Sequence, residues 1–208
     1  MDMSALPARM HNRWQERAEP GPGDAQLYWH ILMRDQPQVC ALAAVARRRL
    51  AGFPGLHFTP EQRLHLSVLR LGLVTELARN EIDAMTAQAR HLLRQVPPAT
   101  LTLGRVLYHP EAITLGVSPG DALDAVSLAI HKAAGILARP VDIGPESRIP
   151  HVTVAYSTHD QPAEPIIAAL GHELPECPLI IDTIHLIAQY GAERSWNWQS
   201  IATIPIGP

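Results

Sequence analysis

The sequence predicts an α+β fold of two related lobes, and three observations carry the prediction. Strand-like and helix-like hydrophobic periods alternate along most of the chain. Each half holds one short apolar segment that begins with histidine, His65-Leu66-Ser67-Val68 and His151-Val152-Thr153-Val154. A length of 208 residues, 47% of them hydrophobic, is enough to bury a full core.

The elements follow in order. Residues 1–24 carry Pro7, Pro20, Gly21, Pro22 and Gly23 among scattered charges and read as a loose arm without chemistry, which leaves 25–208 as a single bilobal domain. Residues 27–33 are apolar and aromatic, a strand; Val39, Leu42, Ala43, Ala46 and Leu50 then recur at helical spacing. Arg47, Arg48 and Arg49 close that helix, where they complement its dipole as a solvated end. After a Pro/Gly-rich turn, 63–72 reads as a strand. Leu77, Ile82, Met85, Ala89, Leu92 and Val96 mark a second helix, stopped by Pro97 and Pro98. Segments 101–107 and 113–117 form a hairpin around Tyr108-His109-Pro110-Glu111, and Leu123, Val126, Ile130, Ala134 and Leu137 give a third helix. A strand at 151–156, a helix at 166–174, and strands at 179–190 and 196–204 complete the series, with the last turn at 191–195.

Composition removes several function classes. A net charge of -3 with mixed signs offers no broad basic surface for long duplex nucleic acid, so any RNA contact is local. Two cysteines, Cys40 and Cys177, lie in no metal-ligand spacing and are expected to be reduced. No run approaches the ~20 apolar residues of a membrane span, and a soluble cytoplasmic monomer is the expected form.

Side chains alternate along a strand, so His65 and Ser67 point together, as do His151 and Thr153, while Leu66, Val68, Val152 and Val154 anchor the other face. With eleven histidines, chance supplies such tripeptides, and His57-Phe58-Thr59, followed at once by Pro60, reads as the accidental copy. The two others sit in matching places. Cleaving a phosphodiester needs one group to take a proton and another to give one, and histidine does either near neutral pH. Ser67 and Thr153 hydroxyls suit the nonbridging phosphate oxygens. Neither a metal nor a cofactor is expected.

These motifs resemble the two-histidine phosphoesterase superfamily, in its branch of 2′-5′ RNA ligase-like and RNA 2′,3′-cyclic phosphodiesterase proteins. Gly72 after the first motif and Pro150 before the second are similar too, and the resemblance covers residues 26–204. It implies a bilobal fold with antiparallel sheets, flanking helices and a central cleft, and metal-free action on 2′,3′-cyclic phosphates or 2′-5′ bonds of nucleotides or RNA ends. His65 and His151 would be catalytic. The chain departs from the common pattern at Arg70, where an aromatic residue is frequent, and at Tyr156, where an arginine often follows the second motif.

Other candidates have competing readings. Arg148 precedes His151 and is within reach of a phosphate in the cleft, or is an exposed loop arginine. Tyr28, Trp29, Tyr156, Tyr190, Trp196 and Trp198 include any platform for an unpaired base, with core packing as the alternative for most; Tyr156 and Trp198 are the substrate-binding candidates. His30 and His185 lie on strands and are read as structural. The rival to an enzyme is a module of the same fold that binds a nucleotide or RNA end without turnover.

Overall fold

The structure, a computed structural model, describes residues 6–17, 19–21, 23–137 and 149–208. Arg148 lies outside the described residues. The chain runs through β1 (Arg9–Met10), β2 (Ala25–Leu32), α1 (Pro37–Leu50), β3 (Leu56–Phe58), β4 (His65–Leu73), α2 (Arg79–Leu93), β5 (Ala99–His109), β6 (Ala112–Ser118), α3 (Asp124–Ala134), β7 (His151–Ser157), β8 (Gln161–Pro162), α4 (Glu164–Leu170), β9 (Glu173–Ile181), β10 (Thr183–Tyr190) and β11 (Trp198–Pro205).

The α+β prediction holds, and its two lobes meet in one antiparallel sheet of order β11-β10-β2-β4-β7-β6-β5-β9, with β3 paired to β7. One register pair, Leu66 with Val152, joins β4 to β7. Four strands therefore stand on the β4 side of a narrow seam, and four on the β7 side together with β3. The lobes are not successive halves of the sequence, because β10 and β11 return to pair beside β2, while β5, β6 and β9 lie beyond β7.

The first helix stripe read from the sequence is the buried one, and the second is so in part: Leu93, not Leu92, is buried at the end of α2, and Leu77 and Val96 lie outside the helix. Val39, Leu42, Ala43, Ala46 and Leu50 of α1 enter the main core, as do Ile82, Met85, Ala89 and Leu93 of α2. At the start of α2, Ala78 N–H donates to the Glu81 carboxylate at 2.8 Å, satisfying a donor the helix leaves open. All four helices bury residues in this core, against the sheet face that presents Ala25, Leu27, Trp29 and Ile31 of β2. The opposite face carries a smaller cluster of Ala112, Tyr156, Ile187, Trp196 and Trp198, with Trp14, Tyr28 and Leu32 beside it.

Four expectations change. Residues 179–190, read as one strand, are the end of β9 and all of β10, in different lobes and separated by Asp182. The break is marked by two successive polar residues, Asp182 and Thr183, across which the buried apolar positions shift from 179 and 181 to 184 and 186, a phase change that the reading as one strand passed over. The helix read at 166–174 ends at Leu170, since Gly171 adopts φ 80, and the chain enters β9. Pro175 and Pro178 disguised that strand; they are tolerated because β9 is at the sheet's edge, where a missing N–H interrupts no ladder. Part of the segment read as a loose arm is docked: β1 pairs with β8, Met10 is fully buried, and Arg13 N–H donates to the Ser157 carbonyl at 2.9 Å. Arg47 and Arg49 are not a free solvated end, since Arg47 donates to the Thr59 carbonyl at 3.3 Å and Arg49 to the Leu170 carbonyl at 2.9 Å.

Candidate active site

β4 and β7 both begin with histidine at the seam. With Leu66 facing Val152 and both in the main core, the flanking positions His65, Ser67, His151 and Thr153 project to the opposite face. In antiparallel pairing His65 lies beside Thr153 and Ser67 beside His151, which makes the histidines diagonal neighbours, about 7–8 Å apart at Cα. Ser67 is exposed and Thr153 is buried.

The two imidazoles are held alike. His65 Nδ1 lies 2.7 Å from the Arg63 carbonyl, and His151 Nδ1 lies 2.8 Å from the Ile149 carbonyl. A carbonyl only accepts, so each Nδ1 carries the hydrogen and Nε2 is the basic atom of each neutral ring. Burial lowers the His65 pKa, and a charge on His151 lowers it further, against the Arg63 carbonyl bond and the Glu193 charge, which raise it.

Rings enclose His65. His30 lies 4.4 Å from His65 between centroids and stacks on Tyr28 at 4.9 Å, while Trp198 meets His65 edge-on at 5.0 Å. Arg63 lies over Trp198 at 5.1 Å. Further along the same face, Trp14 packs edge-on to Tyr156 at 5.6 Å and to His57 at 5.4 Å, and His57 stacks on Trp196 at 4.8 Å. Among the described residues no group of three His, Cys, Asp or Glu is placed to hold a metal ion.

With this geometry in view, the comparison with known families is decisive. The profile of the 2′-5′ RNA ligase superfamily matches residues 36–193, a span that includes both histidine strands. The chain belongs to the 2′-5′ RNA ligase superfamily. Solved structures share the fold of this superfamily member. LigT of Escherichia coli, crystallised with 3′-AMP, has a TM-score of 0.65 at 15% identity, over 89% of this chain and 99% of LigT. TT0787 of Thermus thermophilus gives 0.61 at 16% identity, over 87% of this chain and 97% of its own. A protein described as a phosphoesterase gives 0.63 at 16% identity, over 90% of this chain and 100% of its own. No curated protein sequence matches the chain. Among the described residues no helix is long and apolar enough to cross a membrane.

In this superfamily member the other candidates fall as follows. Tyr156 and Trp198 both join the cluster on the histidine face and are buried. Trp29 is in the main core, and Tyr190 packs against it. His30 and His185 face each other across β2 and β10, both buried on the histidine side. His57 is no accident of composition without structure: its strand pairs with β7, placing it opposite Tyr156.

Arg13 escaped the sequence reading altogether. Its guanidinium lies 4.4 Å from the Tyr156 ring and donates to both Glu193 carboxylate oxygens, at 2.8 and 2.6 Å, and to Glu111 at 3.3 Å. Arg17 reaches the same Glu111 carboxylate. The one available signal was Met10 and Trp14, apolar residues with helical spacing in an otherwise polar segment.

Burial alone would raise the Glu193 pKa, but the Arg13 hydrogen bonds and charge hold it below the usual carboxylate range. A folded value below the unfolded one contributes stability at neutral pH, and the contribution fades as pH falls from the unfolded value through the folded one. Wild type is therefore expected to lose its advantage over Glu193→Gln as pH drops below about 4. Unfolding midpoints of the two proteins against pH measure this; parallel curves would refute it.

Proposed function

We propose that this chain is a phosphodiesterase that opens 2′,3′-cyclic phosphates or 2′-5′ bonds of nucleotides or RNA ends, with His65 and His151 as a metal-independent acid–base pair. The observation that carries the reading is the matched Nδ1-to-carbonyl bond on both rings, which presents Nε2 as the exchanging atom on each. One histidine, neutral, takes a proton from water as its oxygen attacks phosphorus. The other, protonated, gives its proton to the ribose oxygen as the ring P–O bond breaks, leaving a monophosphate and a free hydroxyl. Run backwards, the roles exchange.

Ser67 and Thr153 flank the pair and donate hydrogen bonds to the nonbridging oxygens, where charge is held in the transition state. The Thr153 hydroxyl is also bonded to the Tyr156 phenol, whose pKa burial raises, so Tyr156 stays protonated near neutral pH and steadies Thr153. That LigT crystallises with 3′-AMP, ATP and NADP+ supports a nucleotide as the ligand. The same reading has the protein working in the cytoplasm, as a monomer.

The test is turnover of the four 2′,3′-cyclic nucleotides in EDTA, with the monophosphate isomer identified. Release of a single isomer is expected; tight binding with no turnover of cyclic or 2′-5′ substrates would replace the enzyme with a binding module. Ser67→Ala and Thr153→Val are each expected to lower kcat by about 100-fold, with a smaller change in KM. Unchanged kcat in both would remove the hydroxyls from the chemistry.

A further inference from the structure

We propose that His30 is a positioning residue for His65, its buried ring a backstop that fixes the plane of the neighbouring imidazole. The inference rests on the function proposed above and adds a residue to it. β2 presents Tyr28, His30 and Leu32 to the face that carries the histidine pair, and its bonding register sets His30 opposite Ser67 and Leu32 opposite His65. His30 is 2% exposed, and its Nδ1 is 3.2 Å from the Trp29 carbonyl, which fixes its own ring.

Three rings then form a row. Tyr28 stacks on His30 with an interplanar angle of 23°, His30 leans on His65 at 32°, and Trp198 closes the side, 5.8 Å from His30 and 5.0 Å from His65. The His65 ring has one anchor at Nδ1 and two walls. Rotation about its terminal torsion, broad in a free histidine, is confined.

That enclosure also bears on roles. The groups facing His65 are His30 from β2, His151 from β7, Glu193 from the turn before β11 and Arg63 from the approach to β4, while His185 of β10 stands against His30. Burial of His65, to which the His30 ring contributes a face, favours its neutral form, and His30 itself is held neutral by deeper burial and by His65. A neutral His65 suits the acceptor's part in hydrolysis, and the pH profile of kcat/KM tests that assignment. A flat ring at position 30 is the requirement, whereas its nitrogens are not.

The experiment compares full-length wild type, His30→Phe and His30→Ala, reading the His65 titration by ring-nitrogen NMR and the pH profile of kcat/KM on a 2′,3′-cyclic nucleotide. His30→Ala, by admitting water, is expected to move the His65 midpoint and the acid limb to higher pH, and to lower kcat about 10-fold with KM nearly unchanged. His30→Phe is expected to keep the midpoint and stay within about 3-fold of wild-type kcat. If His30→Ala does not fold, His30→Asn carries the same expectation. An unmoved His65 midpoint in the small variants, or a loss in His30→Phe equal to theirs, overturns the proposal. Wild type without turnover would retire the phosphodiesterase reading alone, since the NMR titration needs no substrate.

Discussion

Replacing His65 or His151 by alanine is expected to reduce kcat on a 2′,3′-cyclic nucleotide by about 10²–10⁴-fold, the usual worth of a positioned acid or base. The double variant is expected to fall little further, because two groups that act in one proton exchange are not additive. Both histidines begin strands and are partly exposed, and neither belongs to the main core that Leu66 joins, although the His65 ring packs on His30 and Trp198. On the proposed mechanism, activity in wild type needs one neutral and one protonated ring, and a bell-shaped profile is expected. His65 is held below the ordinary imidazole range chiefly by burial. As the acceptor it must be unprotonated, so the acid limb, where activity falls as pH drops, is expected below that range. Steady-state rates of each variant in EDTA decide the matter, and turnover that survives the double substitution would end the two-histidine mechanism for this protein.

The largest expected effect on stability comes from the residue between the two site positions of β4. Leu66 is 2% exposed and forms, with Val152, the one register pair between β4 and β7. Leu66→Ala removes buried volume where neither lobe alone surrounds the side chain, and is expected to cost about 2–5 kcal/mol. Against a typical total of about 5–15 kcal/mol, that is a large share of the fold's margin. Denaturant midpoints measure it, with Ile201→Ala as the comparison. Ile201 is 39% exposed, and its truncation is expected to change stability by less than about 0.5 kcal/mol. Equal costs at the two positions would mean that the seam is not where packing is concentrated.

How far the fold could be read depended on whether a residue's environment comes from its own element or from a distant one. Helix α1 was legible because Val39, Leu42, Ala46 and Leu50 describe one face by themselves. His65, Ser67, His151 and Thr153 were legible as co-directed pairs for the same reason, since alternation along each strand is local. That the pairs meet across Leu66 and Val152 is a tertiary fact. The boundary at Asp182 left only a short trace, a phase change of the apolar positions between Ile181 and Ile184, and that the two strands it separates join different lobes is a tertiary fact. Arg13 was illegible because its partners, Glu111 and Glu193, are about 100 and 180 positions away, distances over which charge pattern carries no register. His30 illustrates a subtler case: its place on a strand was visible, but the ring it would lean on was not.

The interleaved course of the chain has a consequence for how this protein is made. Until the segment that forms β10 has emerged from the ribosome, the outer edge of β2 has no partner, although β4 and the whole β5–β6 hairpin are already available. An unpaired edge bearing Tyr28, His30 and Leu32 on one side and Leu27, Trp29 and Ile31 on the other is a template for joining a foreign strand. Assembly of the lobe that holds His65 thus waits on the final strands of the sequence, and contacts of such long separation form slowly. Nascent chains stalled before residue 183 are therefore expected to be more open to aggregation and chaperone capture than the finished fold.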